Sequence, residues 1–141
     1  MTCWTFREYV TEEGINLIRR WYAEQDDQVR AEFDVTIRIL KGTESWLDPE
    51  IDEFKLLTGA HAGLGLGEIR FSVEVKRPGA PKAKKRRFRP IGMYHETERE
   101  FILILGCEKF GMNTVPTGAF DLATRHKTEF DQKRGWTHDH F

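Results

Sequence analysis

Leu66-Gly67-Glu68-Ile69-Arg70-Phe71-Ser72-Val73-Glu74-Val75 is the stretch that decides the fold. Ile69, Phe71, Val73 and Val75 fall on one parity, and Glu68, Arg70, Ser72 and Glu74 on the other. Such alternation predicts a half-buried strand, apolar side inward and polar side outward. A basic turn containing Pro-Gly, over 76–84, leads into a second strand at about 85–95 (KRRFRPIGMYH). Thr97-Glu98 turns the chain into a third, 98–107 (EREFILILGC), whose apolar run is the strongest and which is expected to lie centrally. Three strands with short links predict an antiparallel meander.

Outward from the meander the period changes. Residues 3–10 (CWTFREYV) set Trp4, Phe6 and Glu8 against Thr5, Arg7 and Tyr9, which predicts a first or edge strand. Thr11-Glu12-Glu13-Gly14 is expected to cap a helix carrying Ile15, Ile18 and Trp21 or Tyr22. A second helix follows Asp26-Asp27, with Val29, Phe33, Ile37 and Leu40 on one packed stripe and Gly42 as its stop. Asp48-Pro49-Glu50 predicts a further helix start, with Ile51, Phe54 and Leu57 or Thr58 as its face. The glycines of 59–67 match neither phosphate-binding loop pattern and predict a flexible connection. Pro116 opens a last helix with Ala119, Phe120 and Ala123 on one face, and 135–141 reads as a mobile or late-docking tail. The expected architecture is one α+β domain over 1–141. It has a strand plus helices in 1–60, an antiparallel meander in 61–110 and a C-terminal helix in 115–134.

The net charge of −1 conceals a segregation. Eight of the 22 basic residues fall within the fourteen positions Lys76–Arg89, a run that contains no acid. The rest of the chain therefore sets 14 bases against 23 acids, so a local cationic field stands on an acidic body. No run of 18 apolar residues predicts a membrane span. No basic-then-apolar leader precedes Trp4, which points to a cytoplasmic protein. Cys3 and Cys107 make no disulfide framework and are expected to be reduced, small buried groups.

Several motifs occur in a familiar order. Leu66-Gly67-Glu68-Ile69-Arg70 is followed by a basic strand, then by Leu105-Gly106-Cys107-Glu108-Lys109-Phe110, Pro116 and Ala123-Thr124-Arg125. Over about residues 54–130 this resembles the RelE-like toxin superfamily (RelE/ParE/HigB type), in particular the phage-derived branch of type II toxin–antitoxin systems. Phe110 stands where that family usually has a second Lys, the basic turn is longer, and 1–45 has no counterpart. The resemblance implies a RelE-like fold: an antiparallel sheet of 3–5 strands with the N-terminal helices on one face and a C-terminal helix. It also implies cleavage of mRNA, possible on the ribosome, without metal or cofactor, and a cognate antitoxin as partner.

Such cleavage needs groups that hold phosphate, move protons and stabilise added charge. The resemblance assigns Arg70, Arg89 and Lys109 to the phosphate. His95, at a strand end beside the basic run, is the candidate proton carrier. Lys82, Lys84, Lys85, Arg86, Arg87 and Arg125 are expected to contact RNA, since cationic donors pair with phosphate oxygens. Each also has a bland role: a surface strand charge for Arg70, generic phosphate attraction for the arginines of 86–89, a loop lysine for Lys109. Arg125 could simply pair with Asp121 one turn earlier. His138-Asp139-His140 lacks further fixed ligands for a metal. Two other readings compete with a nuclease: a non-catalytic nucleic-acid-binding module, and a protein-interaction module whose basic turn docks an acidic partner.

Overall fold

The computed structural model describes residues 3–140; Met1, Thr2 and Phe141 lie outside the described residues. In chain order the elements are β1 Thr5–Val10, α1 Leu17–Glu24, α2 Asp27–Lys41, β2 Phe54–Leu56, β3 Leu66–Ile69, β4 Phe71–Val75 and β5 Lys84–Phe88. They continue with β6 Ile91–His95, β7 Glu100–Leu105, β8 Glu108–Phe110, β9 Asn113–Val115, α3 Ala119–Asp131 and β10 Trp136–Asp139. The first sheet runs β10-β1-β7-β6-β3-β2 and the second β4-β5-β8-β9. Among the described residues only the β1–β7 pairing is parallel.

This corrects the expected RelE-like α+β fold. Instead of one antiparallel sheet of three to five strands, the described residues form ten strands, in a six-stranded mixed sheet and a four-stranded antiparallel sheet, beside three short helices. The three expected meander strands exist and pair antiparallel in chain order. The first two break in the middle, at Arg70 and at Arg89-Pro90, and the third breaks at Gly106-Cys107, the end of its expected span, and resumes as β8. Pro90 has no N–H to give a ladder. Gly106 lets an indole approach: a Cβ there would sit 2.1 Å from Trp21 Cδ2. Three aligned breaks turn one meander into two sheets.

Other boundaries moved as well. α1 begins after Asn16, whose side chain accepts from Arg19 N, and not at Thr11. The Thr11 hydroxyl is used in a turn, accepting from Ile15 N. Asp48-Pro49-Glu50 starts no helix. Asp48 accepts from Glu50 N within a turn, and Phe54 is drawn into strand pairing with Ile69. The tail is ordered as β10 against β1. Cys3 is exposed, while Cys107 is buried as expected.

Both faces of the first sheet are covered. Ile18 and Trp21 of α1 and Val29, Phe33, Ile37 and Leu40 of α2 pack one face, joined by Trp4, Phe6, Trp46, Phe54, Phe101 and Leu103. Trp4 stacks on Trp46 at 4.1 Å and on Tyr94 at 5.2 Å. Burying each such ring contributes about 1.5–3 kcal/mol from area alone. On the other face Ala119 and Ala123 of α3 meet Tyr9, Leu66, Ile91, Met93, Ile102 and Ile104. The second sheet is covered on one side only, where Phe71, Val73 and Phe88 pack toward α2. Its other side is left open. No helix of the described residues is long and apolar enough to cross a membrane.

Candidate nucleic-acid interface

Strand alternation and register decide which cations share the open side of the second sheet. Lys84, Arg86 and Phe88 point one way along β5; Phe88 is buried and Arg86 lies over its ring at 5.0 Å. Lys85 and Arg87 therefore point the other way, outward; Arg89, past the end of β5, keeps only 12% of its side chain exposed, and its Nη1 donates to Phe88 O at 2.8 Å. Ser72 pairs with Arg87, Arg87 with Lys109, and Lys109 with Thr114, so these four form one transverse row. Glu74 and Lys85 begin the adjacent row. On the other flank Arg70 and Arg89 meet at the bend. Neighbouring strands lie about 4.8 Å apart and same-face residues about 6.8 Å apart along a strand. Arg70, Lys85, Arg87 and Lys109 thus lie within a few strand spacings of one another, with Arg89 beneath them at the bend.

The bend contains a carboxylate that sequence reasoning left out of the site. Glu68 is 6% exposed. Its Oε1 accepts from Arg70 Nη2 at 3.0 Å, and its Oε2 lies 3.7 Å from Arg89 Nε. Burial lowers the pKa of the Arg89 guanidinium from its ordinary value, and the Glu68 charge opposes that effect. Glu68 Oε2, Arg70 Nε and Arg89 Nε are buried without hydrogen-bond partners among the described residues. Such groups carry an uncompensated desolvation cost. Arg70 remains one-third exposed, so its face opens onto the row of Arg87 and Lys109. Neither Arg87 nor Lys109 has an ion pair or hydrogen bond from its side chain among the described residues.

Cys107 lies buried at the same bend, where its carbonyl accepts from Arg89 N. Its Sγ donates to Arg89 O at 3.1 Å, and burial pushes the thiol pKa up to about 12. It is a packing group and not a nucleophile.

The remaining expected cations separate from this face. Lys82, Lys84 and Arg86 line a groove of about 460 Å³ on the opposite side of β5, with Asp26, Glu108 and Phe110. Arg86 is spent there: Nε and Nη2 donate to the two Glu108 oxygens at 2.9 and 2.7 Å. That pairing raises its pKa. Arg125 is exposed on α3 beside Thr11, Ile15 and Glu129. Asp121, its expected partner, meets His61 Nε2 at 2.7 Å instead. His95 ends β6 opposite Glu100, 3.8 Å from that carboxylate. Six residues separate it from Arg89, about 20 Å of extended chain.

A second polar cluster joins β1, α1 and β10. Glu8 is 0% exposed. It accepts from Arg19, from Asn16 Nδ2 at 2.8 Å and from His140 Nδ1 at 2.6 Å. Burial works against its charge, but the hydrogen bonds from His140, Asn16 and Arg19 outweigh it and lower the pKa to about 2. His138 Nδ1 donates to Asp139 O, which leaves Nε2 to accept from Asn16 Nδ2 at 3.1 Å. The partners lie up to 132 residues apart. The one local signal was Glu8 itself, an acid on the inward parity of Trp4 and Phe6.

No family model, curated protein or solved structure matches the chain.

Proposed function

We propose that the chain binds RNA through the outer face of the second sheet, with Arg70, Arg87, Arg89 and Lys109 pairing phosphates and Lys85 extending the track. The observation that carries this reading is the row Arg87–Lys109, two cations in register without ion pairs among the described residues, beside the Arg70–Glu68–Arg89 group. Keeping like charges together on a rigid sheet is unfavourable unless a polyanion meets them. Glu68 holds the two bend arginines in place, leaving Arg70 one-third exposed and Arg89 12% exposed. The choice of RNA rests on the motif order shared, in sequence alone, with RelE-like toxins. A protein partner of antitoxin type would compete for the same face.

The arrangement supports binding more than cleavage. A 2′-hydroxyl attack needs a proton acceptor beside the phosphate. Glu68 is engaged by two arginines, Cys107 is buried and neutral, and His95 stands at the far end of the first sheet. The test is fluorescence anisotropy with a labelled single-stranded RNA across a salt series. Four or five phosphate contacts predict a log–log slope of about −3. Parallel incubation, with and without translating ribosomes, should leave RNA intact. Products that vanish in Arg89→Ala would replace the binding reading with the nuclease one.

A further inference from the structure

A separate cavity of about 290 Å³ lies between the C-terminal half of α2 and the end of β10, lined by Asp34, Ile37, Arg38, Lys41 and His140. It shares no residue with the basic sheet face. Basic residues in the last turn of a helix ordinarily do no more than offset the dipole. Here a third group joins them. The His140 side chain is only 6% exposed, and its ring stands edge-on to Phe33 with centroids 5.7 Å apart. Nδ1 lies 2.6 Å from the Glu8 carboxylate, which only accepts, so Nδ1 carries a proton. Nε2 has no hydrogen-bond partner among the described residues. A buried carboxylate thus fixes the imidazole and leaves its second nitrogen for a ligand.

We infer that this cavity binds a small phosphate monoester bearing a hydroxyl group, such as the phosphate of a short polyol or a sugar. Arg38 and Lys41 pair with the unprotonated phosphate oxygens, and His140 Nε2, an acceptor because Nδ1 carries the proton, accepts from the P–OH of the monoanionic ester. Neither cation has an ion pair among the described residues. Asp34 brings the formal charge of the lining to +1, which suits an anion less well than a purely basic pocket. One of its oxygens, Oδ2, is taken by the Tyr22 hydroxyl at 2.8 Å. The other oxygen accepts the ligand's hydroxyl, and this favours an ester over bare phosphate. The volume lies at the small end of ligand pockets, too small for a dinucleotide.

Backbone amide signals of residues 37–41 are followed by NMR during titration with ribose 5-phosphate and, separately, inorganic phosphate, at ionic strength fixed with chloride. Both are expected to saturate, the ester binding roughly threefold more tightly through one added hydrogen bond. Arg38→Gln and His140→Asn are each expected to weaken binding about tenfold. The Asn amide replaces Nδ1 on Glu8, so the fold is kept while the ligand-facing nitrogen is lost. Asp34→Asn should erase the preference for the ester. Unsaturated shifts with both ligands, equal affinity for both, or saturation unchanged in Arg38→Gln and His140→Asn would overturn the inference.

Discussion

Glu8 is the group whose removal should be felt most across pH. Its carboxyl is buried, and its pKa is lowered from 4.5 to about 2 by His140, Asn16 and Arg19 against the opposing effect of burial. A group whose folded pKa is depressed contributes stability above its unfolded pKa and loses it as pH falls through the folded value. The shift corresponds to about 3 kcal/mol. That contribution is complete above about pH 5 and fades toward pH 2. Glu8→Gln removes the titration and leaves Arg19 with an uncharged partner, so it should lower stability at pH 7 by about 3 kcal/mol. The difference between the native and variant proteins should then close as pH falls. Urea unfolding followed by tryptophan fluorescence, from pH 7 down to the lowest pH at which the chain stays folded, measures both curves. Other carboxylates cancel in the difference. A gap that is constant with pH would refute the reasoning, because the depressed pKa would then contribute nothing to folding.

Gly106→Ala should destabilise by about 3 kcal/mol or more, since the new Cβ would meet the Trp21 ring at 2.1 Å where the sheets bend; thermal unfolding measures it. Cys3 should react with a thiol reagent at pH 8 in the folded protein, whereas Cys107 reacts only on unfolding, because burial pushes its thiol up to about 12; mass counting of labelled thiols distinguishes the two. Arg89→Ala leaves Glu68 with one cation of its two, and should cost about 3 kcal/mol as a partly uncompensated buried charge; a loss under about 0.5 kcal/mol in urea unfolding would show that the pair is not coupled.

The meander was legible because alternation in 66–75 and the apolar run of 98–107 are local signals. The breaks within it were not. Pro90 and Gly106 were visible, but only the Trp21 indole, 85 positions from Gly106, explains why the chain bends there. The helix expected at Asp48-Pro49-Glu50 has good local start chemistry. It lost to the pairing of Phe54 with Ile69, a tertiary effect that propensity does not contain. The run Lys76–Arg89 read as one basic patch, yet a period of two divides it between two faces. Arg70, Arg89 and Lys109 were expected together; Arg70 and Arg89 meet on Glu68 at the bend, and Lys109 pairs with Arg87 on the open side of the second sheet. His95 and Arg125 were expected beside them and stand elsewhere. Glu68 and Glu8 were missed as site members because the partners that bury them come from other strands and from the far end of the chain.

The central claim is that one face of one sheet, and not net charge, recognises RNA. Two variants that remove equal charge separate these possibilities: Arg87→Gln with Lys109→Gln on the outer face, and Lys82→Gln with Lys84→Gln on the groove side. Anisotropy at fixed salt should show the first pair weakening RNA binding at least about tenfold, with the salt slope shallower by about 1.4, while the second pair changes affinity by less than about threefold. Equal losses in the two pairs, or a larger loss from the groove side, would contradict the account.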